Sequence, residues 1–189
     1  MQGKPKTMQL LKNLKIAFFY FKLKKATKNQ IARNQSKSFD KAKSVAIVFN
    51  SKDLETEKSI LLFAEALREK AKKVYLLAFV DKDLENAKPY SVVSTKDLDW
   101  WGRPKKDSVG FTWIQKEFDC IISLCTEPKP VMDYVVSKGK AILKIGLNSK
   151  HPWLFDVMLE NAGRDMKKNL QYLNKVLQTI KSSSYEPAI

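Results

Sequence analysis

Glycine, histidine and early carboxylates are scarce in this chain, and each scarcity closes off a class of function. Six glycines among 189 residues leave no GxGxxG and no GxxxxGK[ST]. Nucleotide sites of the usual kinds need such glycines so that backbone amides can close on a phosphate. The single histidine, His151, cannot build a multi-histidine metal site. It stands before Pro152 and Trp153 and reads as a surface or capping residue; Ser149 and Cys125 give it no supported nucleophile. Cys120 and Cys125 are spaced C-x4-C, which matches neither a thioredoxin motif nor a zinc knuckle. Two buried, reduced thiols fit a reducing, cytoplasmic compartment. No run of about 18 apolar residues occurs, so no segment is expected to span a membrane. Lysines break the apolar stretch near the start, and no small-residue cleavage site follows it, so a secretory signal is not expected. A mitochondrial presequence is usually rich in Arg and Ser, whereas Arg33 is the only arginine among residues 1–43.

What is present is a lopsided charge. No carboxylate precedes Asp40. Residues 1–43 carry Lys4, Lys6, Lys12, Lys15, Lys22, Lys24, Lys25, Lys28, Arg33, Lys37, Lys41 and Lys43 against that one acid, a net of +11 out of +15. The other 146 residues are nearly balanced. Within the basic arm, Leu10, Leu14, Ala17 and Phe21 follow i, i+4, i+7, i+11, and Leu11 and Phe18 widen the stripe. This spacing predicts an amphipathic helix over roughly Thr7 to Arg33. Phe18-Phe19-Tyr20-Phe21 puts aromatics on more than one of its sides, so it should bury more than one side, in its own domain, a partner or a lipid interface. Asn34 to Lys43 reads as a polar linker, and residues 182–189 as a loose tail.

From Ser44 to Lys181 the pattern alternates strand and helix. Ser44 to Phe49, Val74 to Val80, Asp119 to Leu124 and Ala141 to Gly146 are short apolar runs, the pattern of strands buried on both faces. Tyr90 to Ser94 and Phe155 to Leu159 are candidates for smaller strands, and Asp107 to Glu117 for a short helix. Helical stripes lie between them: Ile60, Ala64, Leu67 and Ala71; then Val131, Tyr134 and Val135 after Pro128 and Pro130; then Met166, Leu170, Leu173, Leu177 and Ile180. Right-handed crossovers between such strands give a three-layer, Rossmann-like α/β domain with a mostly parallel sheet of four or five strands.

In that fold, ligands sit beyond the carboxyl ends of the strands. Asp53, Asp81, Asp83 and Glu127 could converge there on a metal or act as acid and base. Asp53 reads more simply as an N-cap, and the others as solvated loop residues. Elsewhere, Trp100 and Trp101 stand beside Arg103, Lys105 and Lys106. Two indoles next to three cations could stack a base and neutralise phosphates, or could cover a sheet edge.

Phe118 to Leu124 followed by Lys140 to Gly146, the Lys96-Asp97-Leu98-Asp99-Trp100 segment, the basic N-terminal helix and Tyr172-Leu173 in the last helix together resemble an uncharacterised bacterial domain-of-unknown-function family. That resemblance implies an α/β fold and no established activity. The two strands also resemble, distantly, the N-terminal half of heptosyltransferase-type glycosyltransferases. Those enzymes carry a Gly-Asp turn where this chain has Asn50-Ser51-Lys52-Asp53, and they hold the sugar nucleotide in a second domain.

The leading expectation is a non-enzymatic RNA-binding protein, docked on ribosomal RNA and neighbouring ribosomal proteins through its arm, with no cofactor and no metal. The arm's excess of lysine over arginine favours backbone phosphates over base edges. If about eight arm cations met phosphates, log K would fall against log salt with a slope of roughly −6 to −7. The alternatives are a peripheral membrane protein that binds anionic lipid through the same helix, a small-molecule enzyme using the strand-end carboxylates, and a helix that packs on its own domain or on a second copy.

Overall fold

The computed structural model describes residues 6–28, 39–70, 72–81, 88–160, 163 and 165–180, and within the first helix it leaves out the side chains of residues 6–9, 12 and 28. Eleven regular elements follow one another: α1 (Lys6–Lys28), β1 (Ser44–Asn50), α2 (Leu54–Glu69), β2 (Lys73–Val80), β3 (Ser91–Ser94), α3 (Val109–Gln115), β4 (Glu117–Ser123), α4 (Pro130–Lys138), β5 (Lys140–Leu147), β6 (Val157–Leu159) and α5 (Met166–Thr179). Short 3-10 turns occupy Thr95–Asp97 and Pro152–Leu154.

The strands form one six-stranded sheet in the order β3-β2-β1-β4-β5-β6, and every neighbouring pair is parallel. The sheet thus has six strands where the sequence predicts four or five. Both short candidates join it, as β3 and β6 at the two edges. A parallel sheet is covered on both faces, and β1 carries the imprint: Val45 through Asn50 are all buried. Its side chains alternate between two cores. Val45, Ile47 and Phe49 point to the face covered by α2 and α5, where Ile60, Ala64, Leu67 and Leu173 pack. Ala46 and Val48 point to the face covered by α3 and α4, with Trp113, Met132, Val135 and Val136.

The stretch before β1 is not a solvated linker over its last residues. Phe39 and Ala42 are buried in the α2/α5 core, and the Phe39 amide donates to the Ile180 carbonyl at 3.1 Å. The Lys72 ammonium donates to the carbonyls of Phe39 and Ala42 at 3.1 and 2.5 Å, and stands over the Phe39 ring. Burial holds the Lys72 pKa below its ordinary value.

The order of the strands reverses between β1 and β4, the position where open α/β sheets of this topology bind ligands. Here that crevice is bridged by the chain itself. The Asn50 amide donates to the Glu127 carbonyl at 3.3 Å, Cys125 Sγ lies 3.6 Å from Asn50 Oδ1, and Lys52 pairs with Glu127 at 2.7 Å. Among the described residues no helix is long and apolar enough to cross a membrane.

Candidate nucleic-acid interface

Helix α1 lies on the outside of α4, so the layer of helices on that face is doubled. Phe19, Leu23 and Thr27, four residues apart on one side of α1, are buried. Phe19 meets the Tyr134 ring of α4 at 6.2 Å. Thr27 Oγ1 lies 2.8 Å from Ser137 Oγ and also donates to the Leu23 carbonyl. Tyr20 donates its hydroxyl to Asp133 Oδ2 at 2.6 Å and stacks on His151 with ring centroids 3.8 Å apart. Asp133 is almost wholly buried. Burial pushes its pKa up to about 6, and the Tyr20 hydroxyl works against that rise. Burial, and then the Asp133 carboxylate, push the Tyr20 pKa well above the usual phenol value. Burial and the neighbouring Lys150 hold His151 below its ordinary value.

The stripe predicted from the i, i+4, i+7, i+11 spacing faces the other way. Leu10, Leu14 and Phe21 are 60, 59 and 68% exposed, and Leu11 and Phe18 are exposed beside them. No carboxylate occurs anywhere on α1.

The segment between β3 and α3 folds back on itself and brings its tryptophans to α1. Asp97 ties its start, accepting from the Ser94 amide at 2.7 Å and from the Ser94 hydroxyl at 3.0 Å. Asp99 ties its tip, accepting from the amides of Trp101 and Arg103 at 2.9 Å and from the Arg103 guanidinium at 2.8 Å. Burial disfavours the Asp99 carboxylate, but these donors outweigh it and hold the pKa below the usual range. Gly102 takes φ +82, a left-handed turn conformation that a side chain resists. Trp100, 70% exposed, and the partly buried Trp101 have ring centroids 4.3 Å apart. The Lys15 ammonium lies over both, 4.6 and 5.9 Å from the ring centroids, and donates to the Trp100 carbonyl. Phe18 meets Trp101 at 6.1 Å. Between α1, α4 and this Trp loop is a cleft of about 300 Å³.

Lys15, Lys22, Trp100, Trp101 and Arg103 are therefore neighbours. Lys24 and Lys25 are exposed along the same helix, and Lys106 is exposed beyond the Trp loop. Lys105 donates to the Lys96 carbonyl at 2.7 Å, spanning the loop's base. Lys41 and Lys43 are exposed at the opposite end of the sheet, just before β1 begins, and do not join this group. Lys6, Lys12 and Lys28 lie on α1, with side chains outside the described residues; Lys4, Arg33 and Lys37 lie outside them altogether.

The strand-end carboxylates do not gather into one site. Asp53 caps α2, accepting from the Thr56 amide at 2.7 Å and the Thr56 hydroxyl at 2.9 Å, which hold its pKa below the usual range. Asp81 pairs with Lys129 at 2.9 Å, and Glu127 with Lys52. Asp83 lies outside the described residues. Among the described residues, no three potential ligands from His, Cys, Asp and Glu come close enough together to hold a metal ion.

Two buried polar groups were not picked out from the sequence. Asp133 interrupts an apolar helix stripe, and that interruption was its only local signal. Glu57, buried in the first turn of α2, accepts from Ser51 and pairs with Lys88 at 2.9 Å. It looks in the sequence like any helix-start acid. Residues 15–180 match a family of unknown function, DUF6913. The chain belongs to this family. The matched region begins inside α1 and includes Phe19, Tyr20, Leu23 and Thr27, so the docked half of the basic helix is part of the DUF6913 domain. No curated protein matches the chain.

Proposed function

We propose that this DUF6913 protein is a non-enzymatic RNA-binding protein of the bacterial cytoplasm, associated with the ribosome, that grips RNA backbone with the face formed by α1 and the Trp loop. One observation carries the reading: Lys15 lies over Trp100 and Trp101, so two cationic, aromatic segments 85 residues apart in sequence form one surface. Exposed Lys22, Lys24 and Lys25 continue it along the helix, with Arg103 and Lys106 on the loop side. Phosphates neutralised by such cations release condensed counterions, which supplies affinity without base recognition. Exposed Trp100 adds a stacking surface that accepts any base. If the likeness to one half of a heptosyltransferase reflects ancestry, the domain has kept that half's sheet and lost its glycine turn.

Sedimentation of a cell extract through a sucrose gradient tests the reading. The protein should travel with a ribosomal peak, and ribonuclease or high salt should release it. A position at the top of the gradient under every condition contradicts it.

A second reading has its own support. Leu10, Leu14 and Phe21 form an exposed apolar stripe flanked by lysines, a pattern suited to the surface of an anionic membrane. Flotation with phosphatidylserine vesicles that resists ribonuclease would favour lipid over RNA.

A further inference from the structure

Backbone contact alone gives no role to the cleft between α1, α4 and the Trp loop. Two of its walls are aromatic pairs, Phe18 with Trp101 and Phe19 with Tyr134. Lys22, Arg103 and Lys138 also line it, and among the described residues no carboxylate does. The Lys22 ammonium lies 4.6 Å above the Phe18 ring, so positive charge and π-surface share one wall. Arg103 is held by Asp99 through Nε and Nη2, which fixes the guanidinium plane at the cleft. The wider groove between α2 and α5, about 450 Å³, differs in kind: Glu55 lies among its cations, and among the described residues Phe63 is its one aromatic.

A volume of about 300 Å³ falls at the small end of the range for ligand sites. It suits one flat ring system with an attached phosphate and is far too small for a duplex. Duplex RNA keeps its bases stacked inside. A single strand can turn one base out onto an aromatic side chain. We infer that the cleft takes one unstacked base of a single-stranded RNA segment. The rings of that base lie against the aromatic walls, and its flanking phosphates meet Lys22, Arg103 and Lys138. The inference rests on the RNA reading above and adds that the RNA is single-stranded where it crosses the cleft. The described lining offers π-faces and cations, and among the described residues it includes no Asn, Gln, Ser or Thr side chain of the kind that commonly reads base edges, so the cleft should discriminate by strandedness more than by sequence.

The test compares binding of the full-length protein to a labelled single-stranded oligoribonucleotide and to an RNA duplex of the same length, by fluorescence anisotropy. The unaltered protein should bind the single strand more tightly. Trp101→Ala should lose roughly tenfold in affinity for the single strand and lose distinctly less for the duplex. Lys138→Glu, which removes no ring from the cleft, should weaken single-strand binding more than duplex binding, and it guards against a folding defect in Trp101→Ala. Equal binding of single strand and duplex, or single-strand affinity unchanged in Lys138→Glu or in a folded Trp101→Ala, overturns the cleft assignment and leaves the RNA reading standing. Failure of the unaltered protein to bind any RNA at low salt overturns both.

Discussion

Asp133 and Tyr20 link α1 to the domain through a buried carboxyl and a phenol. A carboxyl with a folded pKa of about 6 and a much lower one in the unfolded chain binds a proton more tightly when folded. Its ionisation therefore opposes folding at neutral pH, and that opposition is relieved as the pH falls through 6 towards the unfolded value. A shift of this size is worth about 3 kcal/mol. His151, stacked on the same Tyr20 ring, works in the opposite sense: its lowered pKa costs stability as the pH falls through its ordinary titration range. The difference between variants separates the two effects. Asp133→Asn, which keeps an acceptor for Tyr20, should be more stable than the unaltered protein at pH 7.5 by about 1–3 kcal/mol, and the advantage should fade by pH 5 in urea melts. An advantage that does not change with pH would show that Asp133 is not the titrating group. Tyr20→Phe, which strips the buried carboxylate of its donor, should cost about 1–3 kcal/mol at neutral pH.

The cysteines make a second prediction at this scale. Both are fully buried and free, and burial pushes the Cys125 thiol up to about 12 and Cys120 higher still. Neither should react with Ellman's reagent in the native protein, and both should react in denaturant. Fast labelling of the native protein would contradict this packing.

At the scale of elements, α1 is a helix with two apolar sides. Leu23 is buried against α4, while Leu14 is 59% exposed on the far side. Leu23→Ala should cost about 2–5 kcal/mol, and Leu14→Ala should fall within about 0.5 kcal/mol of the unaltered protein. Chemical denaturation of the two variants checks this directly. Equal losses would mean that the helix does not dock by the Phe19–Leu23–Thr27 side. Periodicity could not choose between the two sides. Leu10, Leu14, Ala17 and Phe21 satisfy a helical repeat with apolar residues alone, whereas the docked side ends in a polar Thr27 whose partner, Ser137, lies 110 residues away. The central strands were legible because double burial leaves unbroken apolar runs, as in β1 and β4. The edge strands β3 and β6 have only four and three residues, and they were legible as the short candidates Tyr90 to Ser94 and Phe155 to Leu159 rather than as clear runs. The Trp loop was visible as a composition, but its contact with Lys15 joins elements that no local rule connects.

For the whole molecule, the decisive fact is where the charge lies. The domain proper is nearly neutral, and seven of the arm's twelve cations ride on a helix that is fastened to it. A fastened helix holds Lys15, Lys22, Lys24 and Lys25 beside the domain that carries the Trp loop, so RNA binding need not order a loose arm first. Lys41 and Lys43, at the opposite end of the sheet, lie away from this array, so their replacement by Ala should leave RNA affinity within about twofold and the salt slope unchanged. The exposed Leu10, Leu14 and Phe21 stripe remains available to a lipid surface, so salt alone cannot discriminate; the choice of anion must.

The most direct measurement is equilibrium binding of a single-stranded RNA to the full-length protein over a salt series from about 50 to about 200 mM, beside Lys22→Glu/Lys24→Glu/Lys25→Glu. Engagement of about five cations, from Lys22, Lys24, Lys25, Arg103 and Lys106, predicts for a single strand a straight log–log plot with a slope of roughly −3.5. The triple variant should bind more weakly and with a shallower slope. RNA binding that is absent, or that neither salt nor the triple variant changes, would contradict the central claim that α1 and the Trp loop form a phosphate-gripping face.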